Sequence, residues 1–439
     1  MDAEHILLCD RRHLWHPYAS LRNPPPVFAA ARAHGMAIEL ADGTELLDGI
    51  ANWWSAAHGH GNPEITAAMR RQAEKMPHVM FGGFTHEPAA ALAERLAEFL
   101  PGGMANVFLA DSGSIAVEVA AKMAVQYQTA KGRPGRTRLL ALKGGYHGDT
   151  AGAMALSDPD GMHTLFRGLM PHHFFAEKPR SPFGGGWIEG DAASAAEILD
   201  RHDGEIAGVF CEPVFQAANA MWFYHPQYLR ELRTLCSARD IPLVFDEIAA
   251  GFYRTGTLWA HDRSGIRPDI MCIGKALSGG HVTLGATAAS DAVADAISAG
   301  RPAAFMHGPT YMANPIACAA AEASLSLFAK GGTAAKVAAI ESAFKASIAR
   351  SGAGKLENVR ATRVLGAVAV LEVEALPSQK DIARTILETG VWLRPFGNWI
   401  YSIPPLIATA ADIDRIVEAM TALAALPPAP PPADPGFHE

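Results

Sequence analysis

Short apolar runs that stop abruptly at charged or small residues recur through the middle of this chain, separated by longer stretches with helical spacing. Residues 106–110, 138–142, 207–211, 241–245, 269–273 and 284–289 are each too short for a stable helix and apolar over most of their length. That is the pattern of strands buried on both faces. Helical patterns fill 63–75, 87–99 and 115 to about 128, and further helices begin at Asp291 and at Asn314-Pro315, where a starting proline is well placed. Near the N-terminus, 37–40 and 45–48 flank Asp42-Gly43 and read as a hairpin, after a stretch at Asn23-Pro24-Pro25-Pro26 too proline-rich for helix. From about 316 the chain turns to Ala-rich helix, then an α+β unit through 364–374, a helix over 379–389 and a strand-like run over 391–396. Between 157 and about 194 the pattern fails, and Pro, Gly and aromatic residues predict a long loop near the candidate site. The chain is therefore expected to be α/β.

The ends of these runs carry the chemistry. Asp246-Glu247 closes one of them, at the carboxyl end of a strand, where open α/β sheets bind ligands. Lys275 follows another, just before Ser278-Gly279-Gly280. A desolvated lysine amine condenses with an aldehyde, and a carboxylate aimed at a pyridine nitrogen keeps that ring an electron sink. Either residue alone is more often a loop-capping Asp or a surface Lys. Together, with D-E-I-x-x-G-x-x-R-T-G following Asp246, they point to pyridoxal phosphate. Asp111-Ser112-Gly113-Ser114 joins a strand to a helix start, which offers free N–H groups to an anion. Tyr146, among Lys143-Gly144-Gly145-Tyr146-His147-Gly148-Asp149-Thr150, is a natural stacking partner for a planar ring. Arg394, alone among Val391, Trp392, Leu393 and Phe396, is either a buried ion-pair partner or a carboxylate clamp.

The stretch from Asp246 through Lys275 resembles the signature of the class III (ω-amino) aminotransferases, and the likeness runs from about Trp15 to Ile403. The resemblance implies the type I pyridoxal-phosphate-dependent transferase fold, with a mostly parallel seven-stranded sheet. The large domain would cover 61–315 and a small α+β domain 1–60 with 316–426. It implies pyridoxal 5'-phosphate as cofactor, with Lys275 as Schiff-base lysine, Asp246 as pyridinium partner and Tyr146 over the ring. Gly113 and Ser114 would hold the phosphate, with Pro309 and Thr310 reaching it from a neighbouring subunit, so a homodimer with shared sites is expected. Tyr18, Trp53, Trp54, Tyr146, Lys275, Gly308, Arg394 and Tyr401 would meet the substrate, Arg394 through its carboxylate. The chain departs from the family at Gln216-Ala217-Ala218-Asn219-Ala220-Met221, where Q-G-A-G-G-M is usual, and at Tyr253, where glycine is usual. Both lie beside cofactor segments and bear on substrate preference. Open alternatives are a class III enzyme for a different amine, a same-fold decarboxylase or aminomutase, and a cofactor-binding protein without turnover.

Composition narrows the partners. The 439 residues are 49% hydrophobic and 19% charged, an ordinary globular balance, and a net charge of −8 argues against nucleic acid. No run of 18 apolar residues occurs, so no membrane span is expected, and the N-terminal stretch lacks a secretory apolar core. Five scattered cysteines without a C-x-x-C pair suit a reducing cytoplasm. His58-x-His60 has no third ligand at useful spacing, so no metal is expected. Residues 427–439, rich in proline, read as a disordered tail.

Overall fold

A computed structural model describes residues 1–429. Ten residues of the expected proline-rich tail, 430–439, lie outside the described residues; before them Ala429 N donates to Leu376 O at 2.9 Å. The described chain divides into two compact units. The larger comprises Trp54–Ala57 and Asn62–Ala334; the smaller comprises Met1–Trp53, His58–Gly61 and the chain from Ala335 on.

The larger unit is built on a seven-stranded sheet in the order Asn106–Ala110, Gly285–Ala289, Ile270–Ile273, Leu243–Asp246, Ile206–Cys211, Arg138–Leu142, Phe174–Ala176. The last five run parallel; Gly285–Ala289 is antiparallel to both neighbours. The four residues of Leu243–Asp246 and the four of Ile270–Ile273 are all buried, as strands covered on both faces require. The first of these begins at Leu243 because Pro242 has no N–H for the ladder, although its carbonyl accepts from Val209 N. Helix Gly113–Ala130 lays Ala116, Val117, Ala120 and Ala124 into a core shared with Leu139, Phe210, Val244 and Ile270. Asn62, Ser112, Ser290 and Asn314 cap the helices expected to start there, each accepting from an amide of the first turn.

One strand of this sheet escaped the periodicity. Phe174–Ala176, inside the region expected to be loop, is the parallel edge strand beside Arg138–Leu142. Three residues give no alternation to read. Its identity comes from tertiary contacts, with Phe174 held between the His202 ring at 4.2 Å and the Arg138 guanidinium at 3.7 Å.

The smaller unit holds helix Ala3–His13, which the apolar pattern did not announce, and two small sheets. The expected hairpin Ala37–Leu40/Glu45–Asp48 forms, joined by Ala30–His34 on one side and by Val391–Trp392, parallel, on the other. The run over 391–396 is strand only at Val391–Trp392, since Pro395 ends any further amide donation. The second sheet pairs Val359–Leu365, Val368–Val373 and Trp399–Ser402. Among the described residues, no helix is long and apolar enough to cross a membrane.

Candidate active site

Strands Leu243–Asp246 and Ile270–Ile273 are adjacent and parallel, so Asp246 and Lys275 leave the sheet at the same end. The consecutive acids Asp246 and Glu247 part company there, because successive side chains of a strand point to opposite faces. Glu247, fully buried, accepts from the Ala260 and His261 amides at 2.9 Å and lies 2.8 Å from His261 Nδ1, so it fastens the following turn. Asp246, 4% exposed, takes the Ile248 amide on Oδ1 and sets Oδ2 2.7 Å from His147 Nδ1. Burial by itself would lower the His147 pKa; the hydrogen bond and charge of Asp246, with Glu212 behind it, hold it above the usual value. Glu212 is pushed up to about 7 by burial, which the nearby His147 only partly offsets. Its oxygens accept from the Tyr146 amide at 3.1 Å and the Ala217 amide at 3.3 Å.

Lys275 stands at φ +44°, a left-handed conformation that costs a residue with a Cβ. Such strain is characteristic of functional positions. Burial lowers its pKa, against the pull of Asp246 and Glu212, and so favours the free amine. Nζ lies 4.9 Å from the centre of the Trp54 ring, and the Trp54 carbonyl is held by buried Arg254 at 2.9 Å.

The start of helix Gly113–Ala130 lies against the loop that carries Tyr146. Ser114 Oγ accepts from the Asp149 amide at 3.3 Å. Gly148, at φ +130°, has room for no side chain, since a Cβ there would stand 2.1 Å from Ser114 Oγ. Gly285 is packed likewise, its Cβ position 2.2 Å from the Ser112 carbonyl. Tyr146 stacks on His163 with ring centres 6.0 Å apart, and His163 Nε2 lies 2.8 Å from Asp149 Oδ1. These residues fit pyridoxal phosphate by their donor set: a helix start with glycine-thin walls for an anion, a buried carboxylate for a ring nitrogen, and an amine that sheds its proton readily.

Sequence reasoning singled out Asp246, Lys275, Tyr146, Gly113 and Ser114, and these lie within the larger unit. It gave His147 and Glu212 no role. The signal available was a histidine next to Tyr146 and a glutamate ending a buried strand. Of the loop carrying Gly308, Pro309 and Thr310, Thr310 is exposed, and neighbouring His307 is held by Lys122 at 2.9 Å and packed edge-on against Phe108.

Trp53, Arg394, Tyr401 and Tyr18 lie in the smaller unit. The Arg394 guanidinium covers the Trp53 ring at 4.3 Å and, among the described residues, has no carboxylate partner; Glu388 faces Arg384 instead. Trp53 and Trp54 end a short turn, Ala51–Trp54, that is left-handed throughout, with φ of +47°, +51°, +56° and +72° on four residues that all carry a Cβ. Each such residue costs about 1–2 kcal/mol. Tyr401 is buried at 3% exposure, whereas Tyr18 is 57% exposed and itself at φ +57°.

Among the departures near the cofactor segments, Ala220 and Tyr253 keep a left-handed backbone that favours glycine, and Ala217 and Asn219 do not. Ala220 and Met221 sit at φ +51° and +52°, and Tyr253 at +67° with its ring 5.9 Å from that of Phe328. Asn219 stands so close to Gly144 that a Cβ there would meet it at 3.0 Å.

Comparisons with known proteins bear on what this arrangement does. The family model described as Aminotransferase class-III matches residues 18–423. The adenosylmethionine-8-amino-7-oxononanoate aminotransferase of Buchnera aphidicola subsp. Schizaphis graminum is 42% identical over 414 residues, 94% of this chain and 95% of that protein. The protein of the same name from Mycobacterium leprae is 43% identical over 97% of this chain and 98% of its own. An amine transaminase from an uncultivated Pseudomonas species, solved in its PLP-bound form, matches with a TM-score of 0.84 at 30% identity, covering 94% of this chain and 98% of that one.

Proposed function

Because this chain belongs to the class III aminotransferases, which are pyridoxal-phosphate enzymes, we propose that it aminates 8-amino-7-oxononanoate (7-keto-8-aminopelargonate). The product would be 7,8-diaminopelargonate, a step of biotin biosynthesis, with S-adenosylmethionine as amino donor. The observation that carries the substrate assignment is the 42–43% identity, over nearly the whole chain, to proteins bearing that name. Arg394, in the smaller unit, supports it as a half-buried guanidinium with no acid partner among the described residues and a fork suited to a substrate carboxylate.

In this reading Gly113 and Ser114 hold the cofactor phosphate, Tyr146 covers the ring and Asp246, fixed by His147, meets its nitrogen. When bound, the cofactor supplies an electron sink and carries the amino group between the two half-reactions. Lys275 Nζ, readily neutral through burial, takes the proton from the donor carbon that bears the amine. In the second half it delivers a proton to the former ketone carbon of the acceptor. By the same family likeness Tyr18, Trp53, Trp54, Gly308 and Tyr401 would meet the substrate.

The homodimer is part of the same proposal. Met80, Phe84, Met306 and Tyr311 are 58–67% exposed, large apolar groups that a second copy would cover. Thr310 of the partner subunit then reaches the phosphate. A cytoplasmic location is supported by five free cysteines, four of them buried.

Incubating the purified protein with cofactor, the keto acid and a panel of donors, then identifying products by mass, tests the assignment. Diaminopelargonate formed with S-adenosylmethionine is the expected result; none with any donor overturns it. The second reading, a class III enzyme for another amine, is favoured by the Pseudomonas amine transaminase and predicts turnover of simple amines in the same panel.

A further inference from the structure

Asp48 ends strand Glu45–Asp48, is wholly buried, and uses both carboxylate oxygens. Oδ1 accepts from the Ile50 amide at 2.9 Å; Oδ2 accepts from the Asn52 amide at 2.8 Å and lies 2.7 Å from His60 Nε2. These are the contacts that hold a glycine-free chain in the left-handed turn Ala51–Trp54. The next residue, Gly49, gathers the remaining strands. Its amide donates to the Trp392 carbonyl at 3.0 Å, and its own carbonyl accepts from Ile403 N at 3.0 Å and Ser402 Oγ at 2.6 Å. A Cβ at Gly49 would stand 2.8 Å from Leu393 Cδ2. Trp53, Arg394 and Tyr401 are thus each a near sequence neighbour of a group bonded to, or packed against, Asp48-Gly49.

We propose that Asp48 is a positioning residue for carboxylate recognition: through the turn it holds, it lays the Trp53 ring against the Arg394 guanidinium and fixes the direction from which that fork takes a substrate carboxylate. A guanidinium flat on an aromatic face keeps its N–H edge free and aimed, whereas an unsupported one samples many rotamers. A strained turn on four Cβ-bearing residues is retained where the surroundings over-determine it, and the buried acid with its three partners does so here. The inference rests on Arg394 being the carboxylate clamp and adds what aims it.

The test compares Asp48→Asn, His60→Gln, Arg394→Ala and the Asp48→Asn/Arg394→Ala double variant as holoenzymes, on the keto acid and on its methyl ester. Asp48→Asn should raise KM for the acid roughly tenfold, as a loss of aim rather than of the guanidinium, with little change for the ester. It should also change the near-ultraviolet circular dichroism of the tryptophans and leave the visible spectrum of bound cofactor intact. Adding it to Arg394→Ala should cost nothing more, because the two act as one unit. A lowered melting temperature with an unchanged acid-to-ester ratio overturns the proposal and makes Asp48 merely structural. If Asp48→Asn does not fold, His60→Gln carries the same expectation and the same overturning result. An unchanged ratio in Arg394→Ala itself would instead sink the clamp reading, so the two failures are separable.

Discussion

His147 Nδ1 lies 2.7 Å from Asp246 Oδ2, with the side chains 1% and 4% exposed and the two residues 99 positions apart in the chain. The contact gives the Asp246 carboxylate a fixed direction at the end of its strand, and His147 is held by the same loop that carries Tyr146. Replacing His147 by Leu removes the partner and leaves a buried acid half-satisfied. Cofactor affinity should fall roughly tenfold, measured by titrating the apoprotein and following the visible absorbance of bound cofactor. An unchanged affinity would mean that Asp246 needs no brace.

Lys275→Ala should bind cofactor more weakly and lose nearly all turnover, since in the proposed role the amine both tethers the cofactor and carries the proton. Dialysis followed by spectroscopy checks the first part, and a stopped assay the second. A variant that keeps its ~420 nm band and full rate would refute the assignment.

Glu212 predicts a pH dependence of stability. Its folded pKa of about 7 is raised by burial above that of the unfolded chain, so the native state holds the extra proton across the window between them. Stability should be greatest below the unfolded value and fall as pH rises from about 4.5 through about 7. His147, also raised, acts in the same sense. Melting temperatures of the apoprotein from pH 5 to 8 should decline, and Glu212→Gln should flatten the slope. An equally steep decline in that variant would assign the effect elsewhere.

In the proposed dimer with shared sites, Thr310 would act across the interface. Mixing an inactive Lys275→Ala chain with an inactive Thr310→Ala chain should restore part of the activity, because each mixed dimer holds one intact site. Failure to recover after verified subunit exchange of well-folded parents would place Thr310 outside the shared site.

Arg394→Ala should leave the spectrum of bound cofactor as it is and raise KM for the keto acid by on the order of 10–100-fold, a loss of about 1.4–2.8 kcal/mol. If the donor's carboxylate uses the same guanidinium, both half-reactions slow together in single-turnover experiments. A KM equal to wild type would reduce Arg394 to a packing partner of Trp53.

The sequence by itself determined the strands that are buried on both faces and which residues stand at their ends. Continuous apolar runs mark such strands, and the residues where they stop, Asp246 and Lys275, fall by necessity at one end of a parallel sheet. The strand-to-helix junction at Asp111-Ser112-Gly113-Ser114 was legible for the same local reason. Only the tertiary structure decided the partners. His147 against Asp246 and Glu212 on the Tyr146 amide are choices made by packing across long stretches of chain, Asp48 against His60 is made where the chain folds back after its left-handed turn, and no period or motif encodes them. The edge strand Phe174–Ala176 was hidden because three residues carry no alternation. The left-handed turn Ala51–Trp54 was hidden because only Asn52 among its residues has a preference for it: a buried carboxylate, placed by a sheet formed from distant strands, imposes the conformation.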